Sequence, residues 1–233
     1  MKLNTNSNIY TIVYSAIVVV IVAVVLALAN QVLKPLQEKN EQLDKQKQVL
    51  GALKVEYGTQ DPAVVYTSIV AAGDTILVCK PNTTDTLEVY KAKLEDGSIK
   101  YVLPLSGKGL WGGIGGYLAL NEDKNTIYGV NFNHEGETPG LGAKIVEMEF
   151  REKFEKKHIR NAEGEVVSVA VLKKGKKAEG KQKVDAISGA TITSEGVSKM
   201  LENNLAEYAE FLKVVPAADP DDEEVEPNKT EEE

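Results

Sequence analysis

From Ile12 to Ala29 the chain runs through valine, isoleucine, leucine and alanine without a single charge. As a helix this run would be roughly 27 Å long at 1.5 Å per residue, close to the hydrocarbon thickness of a bilayer. The pattern predicts a transmembrane helix over 12–33 behind a short N-terminal tail, 1–11, with Tyr10 and Tyr14 at one interface and Lys34 at the other. Ala27-Leu28-Ala29 matches an A-x-A cleavage pattern, but Lys2 is the only side-chain charge ahead of the run and the run exceeds a usual signal-peptide core, which favours a retained anchor. Beyond Pro35, Leu36, Leu43 and Leu50 recur seven apart among Lys, Glu and Gln, predicting an amphipathic, membrane-proximal helical segment within 34–72. Two heptads are too few for a coiled coil.

From about residue 73 the pattern changes to short runs of strand character: Ile76–Cys79, Leu87–Leu94, Tyr101–Leu105, Tyr117–Leu120 and Thr126–Phe132, punctuated by Gly, Asn and Asp. Asp96-Gly97 predicts a hairpin turn between two of them. A charged helical stretch over Lys144–Lys157 and a further strand, Glu165–Leu172, follow. Lys173, Lys174, Lys176 and Lys177 read as a solvated loop. The last helix is predicted over Ser194–Leu212, with Val197, Met200, Leu201, Leu205, Tyr208, Phe211 and Leu212 on one face. The fold class is α+β: antiparallel strands and a C-terminal helix in one domain over 73–213.

The formal net charge of −8 is local. From Pro216 onward Asp219, Asp221, Asp222, Glu223, Glu224, Glu226, Glu231, Glu232 and Glu233 face only Lys229, so the rest of the chain is formally neutral. Nucleic-acid binding has no electrostatic support. The segment from Pro216 onward has three prolines and few apolar residues, and 214–233 is expected to be a disordered acidic tail. Cys79 is the sole cysteine, which excludes a disulfide framework, and its neighbours Ile76, Leu77 and Val78 predict a buried strand position. His134 and His158 have no second histidine at ligand spacing, so no metal site is expected.

Three segments carry chemistry. Gly107-Lys108-Gly109-Leu110-Trp111-Gly112-Gly113-Ile114-Gly115-Gly116 contains G-x-G-x-x-G, but a dinucleotide fingerprint must open a helix, and here more glycines and a strand follow. The glycines fit a tight turn or the close approach of a flat ligand. Trp111 is then either a core anchor or one wall of an aromatic-ligand pocket. In Glu135-Gly136-Glu137-Thr138-Pro139-Gly140-Leu141-Gly142, Pro139-Gly140 is a turn. Such a turn is ordinary at a surface; alternatively Thr138 and the amides around Gly140 and Gly142 meet a heterocycle edge while Leu141 packs on its face.

The third segment, Asp185-Ala-Ile-Ser-Gly-Ala-Thr-Ile-Thr-Ser194, crowds hydroxyls before a helix. Ser194 or Thr193 suits a cap and Glu195 suits the first turn. Capping leaves Ser188 and Thr191 unexplained, as well as the Gly189-Ala190 pair that clears space beside Thr191. With no base paired to Thr191 in sequence, no catalytic nucleophile is assigned. A modified or phosphate-binding threonine at a helix N-terminus fits better.

Together these segments resemble the FMN-binding domain family, and specifically the C subunit of the Na⁺-translocating NADH:quinone reductase, a relative of the G subunit of the Rnf electron-transport complex. Gly107–Trp111 resembles the former; Glu137–Gly142 and Ser188-Gly189-Ala190-Thr191 are common to both, and the likeness runs from Asn4-Thr5-Asn6-Ser7-Asn8 to the last helix. The resemblance implies FMN esterified through its phosphate to Thr191 by a separate flavin transferase that reads Asp185, with Thr193 as the fallback site. It implies cofactor contacts from Ser188, Gly189, Ala190, Thr138, Gly140, Leu141, Gly142, Leu110 and Trp111. Electrons would come from NADH by way of the F subunit, pass to the flavin of the B subunit and finally reach quinone, in a complex that also holds the D and E subunits. The family sits in the bacterial inner membrane, in contact with lipid, with its FMN domain on the extracytoplasmic side. Lys34, Lys39, Lys45 and Lys47 after the span would argue for the cytoplasm, and the family is preferred over that statistical rule. The alternatives are the Rnf G subunit and an anchored assembly or binding module without a redox cofactor.

Overall fold

The computed structural model describes residues 8–213 except 72–73, 82, 162, 174 and 177–181; the acidic tail, the Asn-rich start and Lys174 and Lys177 of the basic run lie outside the described residues. The apolar run and the heptad-spaced segment form one helix, α1 (Asn8–Ala52), instead of two elements. Pro35 is carried inside it. An interior proline leaves the carbonyl four residues earlier without its partner; here that residue, Gln31, is exposed. Only the end of α1 is buried against the domain, through Val49, Leu50 and Ala52.

A short helix, α2 (Pro62–Ile69), follows, capped by the Asp61 side chain on the Ala63 amide at 2.9 Å and started by a proline. Next comes an antiparallel meander in chain order: β1 (Thr75–Cys79), β2 (Thr86–Lys93), β3 (Ile99–Lys108), β4 (Gly113–Asn121) and β5 (Ile127–His134). Each predicted strand is present, and Asp96-Gly97 makes the β2–β3 turn, with Gly97 at φ +82° and the Leu94 amide bonded to the Ser98 carbonyl. Cys79 corrects the expectation of burial. It is exposed, because alternation along β1 sends Val78, not Cys79, to the core.

The period of two gives the sheet two covered faces. Leu103, Leu105, Leu118, Leu120, Val130 and Phe132 meet α4 (Thr191–Glu207) through Val197, Met200, Leu201 and Leu205. Val102, Tyr117, Ala119 and Ala92 meet Val49, Leu50, Ala52 and Leu53 at the end of α1, with Ile69 and Val70. A methyl group on Gly129 would collide with the Ala52 carbonyl, so this second contact requires a glycine.

The predicted helix over Lys144–Lys157 is instead three short pieces: a 3-10 turn (Gly142–Val146), α3 (Met148–Arg151) and a second 3-10 turn (Glu152–Phe154). Phe150 and Phe154 pack edge-on at 5.3 Å between centroids and both contact Phe132 of β5, and this aromatic packing overrides the helical pattern. The predicted strand Glu165–Leu172 is shorter, β6 (Val169–Leu172), and pairs in parallel with an unpredicted strand, β7 (Gln182–Asp185). The last helix begins three residues before its predicted start and breaks after Glu207, continuing as α5 (Ala209–Leu212). Its predicted inner face is correct: Val197, Met200, Leu201, Leu205, Tyr208 and Leu212 are buried, and Phe211 packs partly buried beside them.

Candidate functional site

The glycine-rich stretch opens no helix. Gly107 and Lys108 end β3, Gly113 starts β4, and the Gly109 amide closes the turn on the Gly112 carbonyl at 2.9 Å. Leu110 and Trp111 sit at its tip, and Trp111 is 70% exposed, so the core-anchor reading of that residue is wrong. The segment after β5 turns at Pro139-Gly140: Gly140 has φ +75°, and the Thr138 carbonyl accepts from the amides of Leu141 and Ala143, both at 3.1 Å. Proline followed by a left-handed glycine is the requirement of a type II turn. Thr138 and Gly140 are exposed there or border the surface, while Gly142 is buried.

β7 delivers the third segment. Asp185 ends that strand on the surface, paired with Lys183 at 3.4 Å, and the chain turns through Ser188 and Gly189 (φ +77°) into α4. Thr191 is the first helical residue and is half-buried; Ala190 occupies the N-cap and supplies no side-chain cap. The expected caps are corrected accordingly. Ser194 lies inside the helix and its Oγ accepts the Ile187 amide at 3.2 Å, folding the loop back onto α4, and Glu195 lies beyond the first turn. The first-turn amides of α4 therefore have no side-chain cap, which is the arrangement that receives an anion.

One side chain joins all three segments, and the sequence did not single it out. Glu137 is only 4% exposed. Its Oε2 accepts the Thr193 hydroxyl at 2.6 Å and its Oε1 the Trp111 amide at 2.9 Å, while its own amide donates to His134 Nδ1 at 3.3 Å. A methyl group at Gly109 or Gly142 would strike the carboxylate, so these two glycines make room for it. Burial pushes the Glu137 carboxyl up, but the Thr193 hydroxyl and the amides of Trp111, Leu110 and Gly112 outweigh it and hold the group below its ordinary value. Nothing in a Glu before Thr-Pro-Gly distinguishes this carboxylate from an exposed one; the glycines that flank it are 33 positions apart in sequence and meet only in the fold.

Thr193 is thus 1% exposed with its hydroxyl engaged. The fallback assignment of a modified residue to Thr193 conflicts with this geometry, since that oxygen faces the interior. Leu141 reaches the turn before α4, where a methyl on Gly189 would lie 2.9 Å from its Cδ2. Leu110, Trp111, Leu141 and Ile192 are exposed apolar side chains on these three segments. A groove of about 230 Å³ is lined by Ala186, Ile187, Lys144, Glu147 and Lys153 and includes one predicted site residue, Ser188. A cavity of about 300 Å³ near the end of α1, lined by Lys54, Met148 and Arg151 among others, contains none of the predicted site residues. Among the described residues no group of His, Cys, Asp and Glu is placed to hold a metal.

The FMN-binding domain family matches residues 109–206, a span that begins at the glycine turn and ends in α4. The chain is 31% identical to the C subunit of the Na⁺-translocating NADH-quinone reductase of Haemophilus ducreyi, over 84% of this chain and 89% of that protein. It is 31% identical to the C subunit of the same reductase from Neisseria meningitidis serogroup B, over 91% and 97%. A crystal structure of the C subunit from Parabacteroides distasonis superposes with a TM-score of 0.71 at 40% identity, covering 78% of this chain and 98% of that one.

Proposed function

The chain belongs to the family of C subunits of the Na⁺-translocating NADH-quinone reductase, and from its site we propose that Thr191 is the residue that carries its FMN. The protein is an electron-relay flavoprotein subunit of a multisubunit, ion-translocating quinone reductase, with FMN as its cofactor. The observation that carries the assignment to Thr191 is the division of labour in the first turn of α4. Thr193 is turned inward onto Glu137, whereas Thr191 heads a helix whose first amides have no side-chain cap.

FMN supplies the redox chemistry when bound; the chain places it and shapes its surroundings. The first-turn amides and the helix dipole favour the phosphate esterified to Thr191 Oγ1. Ser188, Gly189 and Ala190 form the narrow turn that presents this hydroxyl. Leu110, Trp111, Leu141 and Ile192 give the ring an apolar rim, with Thr138, Gly140 and Gly142 toward its polar edge. A flavin transferase would use FAD: Thr191 Oγ1 attacks the flavin-side phosphorus, the pyrophosphate bond breaks, AMP leaves, and the hydroxyl proton passes to the transferase or solvent. Asp185, on the surface ahead of the turn, is a recognition element for that enzyme.

The apolar part of α1, exposed on all sides, is read as a single membrane span over 12–33 leading directly into the domain. The domain lies on the extracytoplasmic side, where a covalent bond retains a flavin that cytoplasmic pools cannot replace. It passes electrons that arrive by way of the F subunit on to the flavin of the B subunit, in a complex that also holds the D and E subunits.

Co-expression with a flavin transferase tests the assignment. The native chain gives a fluorescent band on a denaturing gel under ultraviolet light, and Thr191→Val gives none. A dark native band, or a bright Thr191→Val band, overturns it. Sidedness is checked at Cys79, exposed and the sole cysteine: a membrane-impermeant maleimide should label it in spheroplasts without lysis.

A further inference from the structure

We propose that Glu137 is the positioning residue of this site, locking the glycine turn and the first turn of α4 into one unit and thereby directing Thr191, not Thr193, outward for esterification. This rests on the reading of Thr191 as the flavin-bearing residue.

Successive helical residues are rotated by about 100°, so Thr191 and Thr193 lie about 200° apart around α4 and cannot share an environment. Which of them faces outward depends on what anchors the other. Glu137 anchors Thr193 through the 2.6 Å hydroxyl contact, in a pocket that excludes solvent. The same carboxylate takes the Trp111 amide at 2.9 Å, so the hairpin tip bearing Leu110 and Trp111 is held to the helix that bears Thr191. Gly109 and Gly142 confine the carboxylate on both sides, because a methyl group at either would strike it. The neighbouring amides of Leu110 and Gly112 also favour its charged form. Three of these groups are backbone N–H donors, and the fourth, the Thr193 hydroxyl, donates to the carboxylate here but can also accept. An amide in its place can keep the Trp111 amide only by turning its NH₂ onto Thr193 Oγ1, which reverses that hydrogen bond and exchanges charge-assisted contacts for weaker neutral ones.

The test uses the full chain, with and without a co-expressed flavin transferase. Trp111, the only tryptophan, reports on the hairpin tip before any flavin is attached. In Glu137→Gln, Trp111 fluorescence anisotropy of the flavin-free chain should fall, and covalent flavin per molecule should drop about tenfold, the scale of losing a charge-assisted hydrogen bond. Thr193→Val should lose loading in the same way, and Thr193→Ser, which restores the hydroxyl, should recover it. Should Glu137→Gln fail to fold, the Val and Ser variants decide the question by themselves. Native anisotropy together with native loading in Glu137→Gln, or equal loading in Thr193→Val and Thr193→Ser, overturns the proposal, as does flavin found on Thr193 of the native chain by peptide mass analysis. A chain that carries no flavin at all yet loses Trp111 anisotropy in Glu137→Gln would sink the Thr191 reading while leaving the locking role of Glu137 in place.

Discussion

The two faces of the five-stranded sheet are built from the same strands and do different work. Toward α4 the sheet presents large side chains, Leu103, Leu105, Leu118 and Leu120, and the helix it supports carries Thr191 at its exposed end. Toward α1 it presents Ala92, Ala119 and Gly129, and a long helix docks closely with only its final turns. Adjacent residues of one strand face opposite ways: Val102 and Ala119 pack toward α1, and Leu103 and Leu118 toward α4. α1 and α4 are thus joined through the sheet that both pack on, not through a linker.

A matched pair of truncations should separate the two faces most strongly. Leu201 of α4 and Leu50 of α1 are both fully enclosed, at 1% and 0% exposure. Leu201→Ala and Leu50→Ala should each cost about 2–5 kcal/mol of stability, measured by denaturant unfolding of the flavin-free chain in detergent. They should part in the second measurement. Leu201→Ala loosens the helix that presents Thr191 and lowers flavin per folded molecule, whereas Leu50→Ala leaves that ratio near native. Equal losses of flavin would show that the faces are not separable.

The elements on both faces were legible in the sequence wherever local pattern sufficed. Alternation located β1 to β5, the Asp96-Gly97 pair located a turn, and helical spacing from Val197 to Leu212 located the inner face of α4. Legibility failed where a distant contact decided the outcome. β7 is four residues, mostly polar, and exists because β6 offers it a parallel partner. The segment around Phe150 is broken because Phe132 captures two of its rings. Pro35 suggested a boundary that the exposed helix does not observe. Of the site, the threonine cluster and both glycine-rich turns could be read directly, but the buried carboxylate joining them could not, since burial of Glu137 depends on three segments meeting.

Acid should distinguish the two faces next. The Glu137 carboxyl is held below its ordinary value, so its contribution to stability is complete above the unfolded carboxylate pKa of about 4.3 and is lost as pH falls through the lower folded value. Below about pH 4 the Trp111 anisotropy of the flavin-free chain should fall, and the melting temperature of the native chain should decline more steeply than that of Glu137→Gln. Alkali offers no such contrast. Burial, then Tyr66, Glu88 and Asp44, push Tyr117 on the α1 side up to about 12, and burial, then Glu207 and Glu88, push Tyr208 up on the other. A phenol favoured in its neutral form stabilises fully below its unfolded pKa near 10 and loses that contribution as pH rises, so both faces should weaken together.

The smallest effect is expected at the polar route that crosses from α1 to the domain. The Gln48 carbonyl of α1 accepts Asn131 Nδ2 at 3.1 Å and its side-chain oxygen accepts Asn133 Nδ2 at 2.7 Å; Asn131 Oδ1 in turn accepts from Arg151 at 2.6 Å, next to Phe150. Gln48→Ala removes the bond to Asn133 and the exposed bond from Gln48 Nε2 to Asp44 at 2.8 Å, and leaves the carbonyl contact intact, since that belongs to the backbone. A loss of about 1 kcal/mol follows, most of it from the half-buried neutral bond to Asn133, because the bond to Asp44 is exposed to water. Flavin loading and Trp111 anisotropy should not move, because the route ends on β5 and α3 and touches neither Glu137 nor α4. If either readout changes by more than the stability loss accounts for, the anchor communicates with the flavin site through β5, and the separation of the two faces fails at that strand.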